Sequence, residues 1–342
     1  MSLITAPLLA LLADRFDKRK KFLTLSFSGA MLGLIMVSFS RTFPYIFFSI
    51  AFYHFFRSSL TPMTDSIVLH ISKKYALDFG KMRLFGSLFY AISACVSGII
   101  WDLKGYDYML ILSGISFLPA IITSQIIEDP PMDKPYHLSY KFDPYIKDLL
   151  RDKGLVVILF ASFFMQAALY ISSMFSGIFI DDLGGASWVI GLIFCLGSVS
   201  EASLMFISDR IERAISKVSS LIIAYSLCII SLLLAAVVSN PLGFLAMTVL
   251  RGFAFSLYYI VTVKVLDKRV PHHLSSIAQA LFTAVTMGLA PLLGSPIAGL
   301  IYDLAGTKTL FVSASLLPII SLILITQTSK ENSSASKSIR NH

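Results

Sequence analysis

Residues 154–180 read GLVVILFASFFMQAALYISSMFSGIFI, without one charged side chain. A helix rises 1.5 Å per residue, so about 20 apolar residues cross the roughly 30 Å hydrocarbon core of a bilayer. This stretch is long enough to span. Its polar groups Ser162, Gln166, Tyr170 and Ser173 share a face at about 100° per residue. A helix that is oily apart from one polar seam belongs inside a bundle of other helices.

Outward from this stretch, runs of the same kind lie at 22–40, 43–71, 83–101, 107–127, 187–208, 218–238, 241–266, 274–301 and 309–326. With 154–180 they make ten full spans, preceded by a shorter apolar run, Ser2–Ala13. Composition agrees: 56% of residues are hydrophobic, 14% are charged, and the mean hydropathy is +0.78. A soluble domain carries about 25% charged residues. The predicted class is an all-α membrane protein.

The loops are short except for 128–153, which is polar and holds Pro130, Pro131, Pro135 and Pro144. It divides the chain into a first bundle (1–127), a cytoplasmic linker (128–153) and a second, six-helix bundle (154–327). The Ser/Asn/Lys-rich tail, 328–342, is expected to be disordered.

The net charge of +8 is explained by where the basic residues fall. Of the 28 Lys and Arg, Arg57, Arg251 and Lys264 lie inside spans and only Arg41, Lys104 and Lys308 lie on one set of loops. All the rest lie on the alternate loops, the linker and the tail. The positive-inside rule places those segments, and the C-terminus, in the cytoplasm. No zinc-finger spacing or RNP-like motif accompanies the charge, so no nucleic-acid partner is expected. Cys95, Cys195 and Cys228 are odd in number, lie in apolar runs and form no CxxC. They read as small buried apolar residues, with neither a disulfide framework nor a metal site. No Walker A, HExxH or GxSxG sequence occurs and the loops leave no room for a catalytic domain, so neither an enzyme nor a cofactor is expected.

The halves repeat each other. Gly98-Ile-Ile-Trp101-Asp102-Leu-Lys-Gly105 parallels Gly299-Leu-Ile-Tyr302-Asp303-Leu-Ala-Gly306. Leu-Ala-Asp14-Arg15 parallels Ile-Ser-Asp209-Arg210, and Arg57 parallels Arg251. Matched offsets in this order predict two similar helical bundles. The counterpart of the helix at 154–180 falls before Met1. About eleven membrane segments are therefore expected where the repeat calls for twelve, the first helix being absent.

The chain resembles the major facilitator superfamily. The family's signature loop is present as Ala10-Leu-Leu-Ala-Asp14-Arg15-Phe-Asp17-Lys18-Arg19-Lys20, with Ala10 and Asp17 standing where the family has glycines. A degenerate copy, Ile207-Ser-Asp209-Arg210, occupies the matching place in the second half. The sequence is most similar to the branch of lactose-permease-like, nucleoside and phenylpropionate proton symporters. The features that carry this are Gly80-Lys-Met-Arg83-Leu-Phe-Gly86-Ser87, Ser200-Glu201-Ala202, Arg251-Gly252-Phe253 and Gly288-Leu-Ala-Pro-Leu-Leu-Gly294. The resemblance implies two pseudo-symmetric six-helix bundles that rock about a midplane site. It also implies proton-coupled transport of a small polar solute: a sugar, a nucleoside or an aromatic acid.

Ionisable groups in hydrocarbon are costly, so each one here is a functional candidate. His54, Arg57, Ser58, Thr61 and Asp65 form one polar stripe on the helix at 43–71. Glu201 lies about fourteen residues, roughly 21 Å, from the outer end of its helix. Burial disfavours the ionised form of a carboxyl, so such a group can trade a proton with water near neutral pH. Arg251 shares a face with Tyr258 and Thr262 and, keeping its charge, needs a carboxylate or an anionic substrate group. The expected roles are proton coupling for Glu201 and Asp65, and substrate binding for Arg57, His54, Arg251, Gln166, Tyr170 and Tyr258. Asp14, Arg15, Arg83, Asp209 and Arg210 are expected to gate the cytoplasmic side. Alternatives stay open: a structural ion pair between Glu201 and Arg57 or Arg251, helix-packing seams, a non-transporting scaffold, or an efflux carrier. The expected partners are the substrate, protons and lipid, with the chain a monomer.

Overall fold

The computed structural model describes residues 19–75, 79–127, 149, 151–270 and 275–340. Every regular element among them is helical. In hydrocarbon each backbone N–H and C=O must be paired within its own segment, and a helix does this locally. The helices are α1 (Arg19–Phe39), α2 (Phe43–Lys74), α3 (Phe79–Lys104), α4 (Met109–Ile115) and α5 (Leu118–Ile126). They continue with α6 (Lys153–Asp182), α7 (Ser187–Ala214), α8 (Lys217–Val237), α9 (Gly243–Arg269), α10 (Ser275–Thr283) and α11 (Ala290–Arg340). A π-helical turn, Ala284–Leu289, joins α10 to α11.

Among the described residues, seven helical stretches are long and apolar enough to cross a membrane. The longest, Leu281–Gln327, is two crossings, because Gly306 breaks it with φ 76° and ψ 176°. Gly105, its counterpart in the repeat, ends α3 with φ 74°. A left-handed residue at a helix end favours glycine, which lacks the clashing Cβ. The span expected at 107–127 is two helices, α4 and α5. Pro119 at the start of α5 lacks an N–H, and its ring opposes the preceding turn. α11 runs on to Arg340, so the backbone is helical through most of the tail where composition predicts no order.

The chain packs as two compact units. The first holds residues 1–86 and 103–139, and the second holds residues 87–102 and 140–342. By order along the chain, the helix at 83–101 belongs to the first bundle. By packing, residues 87–102 join the second unit, because Gly98 lets α3 lie directly against α7 at Gly191.

In the first unit α1 packs on α2, α4 and α5. Ser26 bonds Ser59 at 2.9 Å and Thr24 bonds Ser124 at 2.8 Å. A Cβ on Gly33 would lie 2.7 Å from the Tyr53 Cα. Small residues and hydroxyl pairs of this kind hold helices together where lipid removes the hydrophobic drive between them.

In the second unit α6 lies at the core against α11, and α8 packs on α9 and α11. Phe179, Phe244 and Phe311 bring α6, α9 and α11 into one aromatic cluster, with ring centroids 5.2–5.8 Å apart. Ser321 Oγ donates to the Ala161 carbonyl at 2.7 Å, adding a polar tie between α6 and α11.

Candidate functional site

Arg251, on α9, is a partly buried cation of the second unit. Its Nη1 donates to Ser172 Oγ at 2.9 Å and to Ser176 Oγ at 3.1 Å, both on α6. The serines are four residues apart and therefore stand on one face. Both are buried. Ser176 Oγ also donates to the Ser172 carbonyl at 2.5 Å, which turns its lone pairs toward the guanidinium.

The next residue, Gly252, lets α9 lie against α7. A Cβ there would lie 2.8 Å from Ser200 Cβ and 2.9 Å from the Gly197 carbonyl oxygen. One turn on, Ser256 Oγ donates to the Glu201 carbonyl at 2.6 Å. These contacts fix the backbone of Glu201 beside Arg251. The two side chains interact electrostatically, yet form no ion pair within 4.0 Å. Among the described residues the Glu201 carboxyl has no hydrogen-bond partner, and its side chain is partly buried.

A second polar cluster lies further along the same pair of helices. Tyr258 is fully buried and its hydroxyl donates to the Ser162 carbonyl at 3.3 Å. Ser162 Oγ, Gln166 Oε1 and Thr262 Oγ1 are buried without a hydrogen-bond partner. The pairs Ser162–Tyr258 and Ser172–Arg251 show that α6 and α9 run antiparallel. Helical side chains lean toward their own N-terminus. Ser162 and Gln166 therefore lean one way along the pair and Thr262 leans the other. Each unsatisfied buried group costs about 1–3 kcal/mol.

The structure thus brings Arg251, Glu201, Gln166 and Tyr258 into one unit, on α9, α7 and α6. Tyr170 lies on α6 but is 39% exposed. His54 and Arg57 stand on α2 in the first unit, both exposed. His54 lines an apolar hollow of about 280 Å³ with Phe43, Ile46, Phe47, Ile50 and Ala51. Asp14, Arg15 and the side chains of Asp65, Arg83, Asp209 and Arg210 lie outside the described residues. Sequence reasoning singled out Ser173 and missed Ser172 and Ser176, the two serines that meet Arg251. The signal was their four-residue spacing, which only the position of α9 makes meaningful.

Comparison with known proteins bears on most of the chain. Residues 1–313 match the model of the MFS_1 like family. The maltose permease of Geobacillus stearothermophilus is 24% identical over 280 residues, covering 82% of this chain and 70% of that protein. The putative nucleoside transporter YegT of Escherichia coli (strain K12) is 25% identical over 335 residues, covering 88% of this chain and 74% of its own. The crystal structure of the nucleoside transporter NupG superposes with a TM-score of 0.79 at 16% identity, over 95% of this chain and 86% of that one.

Proposed function

Since the chain belongs to the MFS_1-like family of membrane transporters, we propose that it carries a small polar organic solute across the bilayer by alternating access, driven by protons. It is a transporter and not an enzyme. Within the proposal the solute is a sugar or a nucleoside, as the names of its relatives suggest, or an aromatic acid.

The observation that carries the reading is the division of labour around Arg251. Two serine hydroxyls take Nη1 of its guanidinium, and the Glu201 carboxyl nearby forms no ion pair with it. A carboxylate locked to an arginine stays ionised. One that only feels the arginine at a distance can accept a proton, because burial favours the neutral form. Glu201, with Asp65, carries the proton. Arg251 supplies the fixed counter-charge, and Gln166, Tyr170, Tyr258, His54 and Arg57 contribute polar contacts to the solute. Asp14, Arg15, Arg83, Asp209 and Arg210 close the cytoplasmic side, on which the C-terminus lies, and one copy of the chain suffices.

Purified protein in proteoliposomes tests this with radiolabelled maltose, uridine and phenylpropionate, with and without an acid-outside pH gradient. The expected result is accumulation of one class above equilibrium only under the gradient. Equal uptake with and without it rejects proton coupling. No uptake above protein-free vesicles rejects all three solute classes.

A further inference from the structure

α3 and α7 meet along two consecutive rungs. At the first, Asp102 Oδ1 accepts a hydrogen bond from the Ser187 N–H at 3.0 Å. One turn further, Gly98 meets Gly191. A Cβ on Gly98 would lie 2.8 Å from the Gly191 Cα, and one on Gly191 would lie 2.9 Å from the Gly98 Cα. The two backbones therefore lie in contact, with no side chain between them. As the residue number falls on α3 it rises on α7, so the helices are antiparallel. Beyond the glycines the same antiparallel register sets Cys95 near Cys195, and the two thiols interact electrostatically.

A disulfide needs Cα atoms within about 4.4–6.8 Å and Cβ atoms that face each other. Most helix pairs are too far apart to meet this. The glycine contact one turn away removes that obstacle, and the register fixed by Gly98–Gly191 and Asp102–Ser187 places the two cysteines across from each other. Both cysteines are partly exposed, whereas Cys228, on α8, is buried.

We propose that Cys95 and Cys195 form a closable dithiol, which a two-electron thiol oxidant converts to a disulfide that staples α3 to α7. One sulfur, as thiolate, attacks the oxidant. The second sulfur attacks the resulting adduct and displaces the reduced oxidant. An S–S bond forms, two S–H bonds are lost, and two electrons and two protons pass to the oxidant. With a diazene such as diamide, the N=N bond becomes a hydrazine.

The test uses the full chain in proteoliposomes. The protein is treated with diamide, remaining thiols are blocked with iodoacetamide, and the digest is analysed by mass spectrometry with and without dithiothreitol. The expected product joins the Cys95 and Cys195 peptides, lacks two hydrogens and disappears on reduction. The protein remains a single chain on a non-reducing gel and Cys228 stays unlinked. Cys95→Ser should leave Cys195 fully alkylated. Separate alkylation of Cys95 and Cys195 after diamide, a link to Cys228, or a cross-link only between two chains would overturn the proposal. The wild-type peptide map decides it even if the variant does not fold.

Discussion

Asp152 holds Arg269 with both carboxylate oxygens, at 2.8 Å from Nε and 2.9 Å from Nη2. The same Oδ1 accepts the Gly154 and Leu155 N–H groups at 2.9 and 3.3 Å, capping α6. One carboxylate thus starts α6 and ties it to the last turn of α9. Gly154 makes the room, since a side chain there would strike the guanidinium. The hydrogen bond from Arg269 holds the Asp152 carboxyl below the usual aspartate range, with the α6 amides adding to it against a smaller opposing effect of burial.

Asp152→Ala should lower stability by about 1 kcal/mol, mainly through the lost cap. The half-exposed ion pair adds little beyond that. Because the folded pKa is depressed, the contribution is present above the unfolded value of about 4 and is lost as pH falls through the folded value. Thermal unfolding in detergent should therefore show a constant gap between variant and wild type down to about pH 5, closing in stronger acid. A gap that persists in strong acid would mean that the charge is not what holds the contact.

Arg251→Lys keeps the charge but loses the planar fork that reaches two hydroxyls. Initial uptake should fall about tenfold or more, equivalent to about 1.4 kcal/mol. Ser172→Ala combined with Ser176→Ala leaves the guanidinium short of acceptors. Hydrogen bonds to charged groups contribute about 1.5–3 kcal/mol each, so the double variant should unfold at a lower temperature than either single one.

Glu201→Gln keeps the shape of the side chain and removes its proton chemistry. Exchange of labelled for unlabelled solute should survive, while accumulation under a pH gradient should disappear. Accumulation at the wild-type level in this variant would exclude Glu201 as the proton carrier.

Gly252→Val forces atoms against Ser200 and Gly197, where even a Cβ would sit at 2.8–2.9 Å. The expected cost is about 1–3 kcal/mol, read as a lower unfolding midpoint. Gly299→Ala is the control, because nothing lies within 4 Å of a Cβ there, and with alanine's better helix propensity it should unfold no earlier than wild type.

Thr262→Val replaces an unsatisfied buried hydroxyl with a methyl of similar size. Removing an orphaned polar atom should leave stability unchanged or raise it by up to about 1–3 kcal/mol. If the cluster of Ser162, Gln166 and Thr262 receives solute, uptake should fall at the same time. Loss of stability without loss of uptake would make the cluster a structural feature only.

The helices were legible because their signal is local. The run at 22–40 becomes α1 and the run at 154–180 becomes α6, with ends within a few residues. The repeat was legible for the same reason, and Gly105 and Gly306 adopt matching positive φ angles of 74° and 76°. The site was legible only in part. Glu201 and Arg251 stood out because a charge within an apolar run is conspicuous. Ser172, Ser176 and the Cys95–Cys195 pair did not, since serine and cysteine are ordinary in such runs. The cap formed by Asp152 could have been suspected from its place just before an apolar run, but not its bond to Arg269, 117 residues away.

The order of apolar runs along the chain was by itself enough to establish a bundle of membrane helices in two related halves. Lipid offers no partner for a backbone hydrogen bond, so a long apolar segment has little choice but to be a helix. Which faces of those helices meet was decided only in three dimensions. The glycine contacts at Gly98, Gly191 and Gly252 set how close and in what register α3, α7 and α9 lie. The register of α9 on α7 sets Glu201 beside Arg251, and the packing of α9 on α6 brings Arg251 to its two serines, both properties of pairs of helices and not of any one of them.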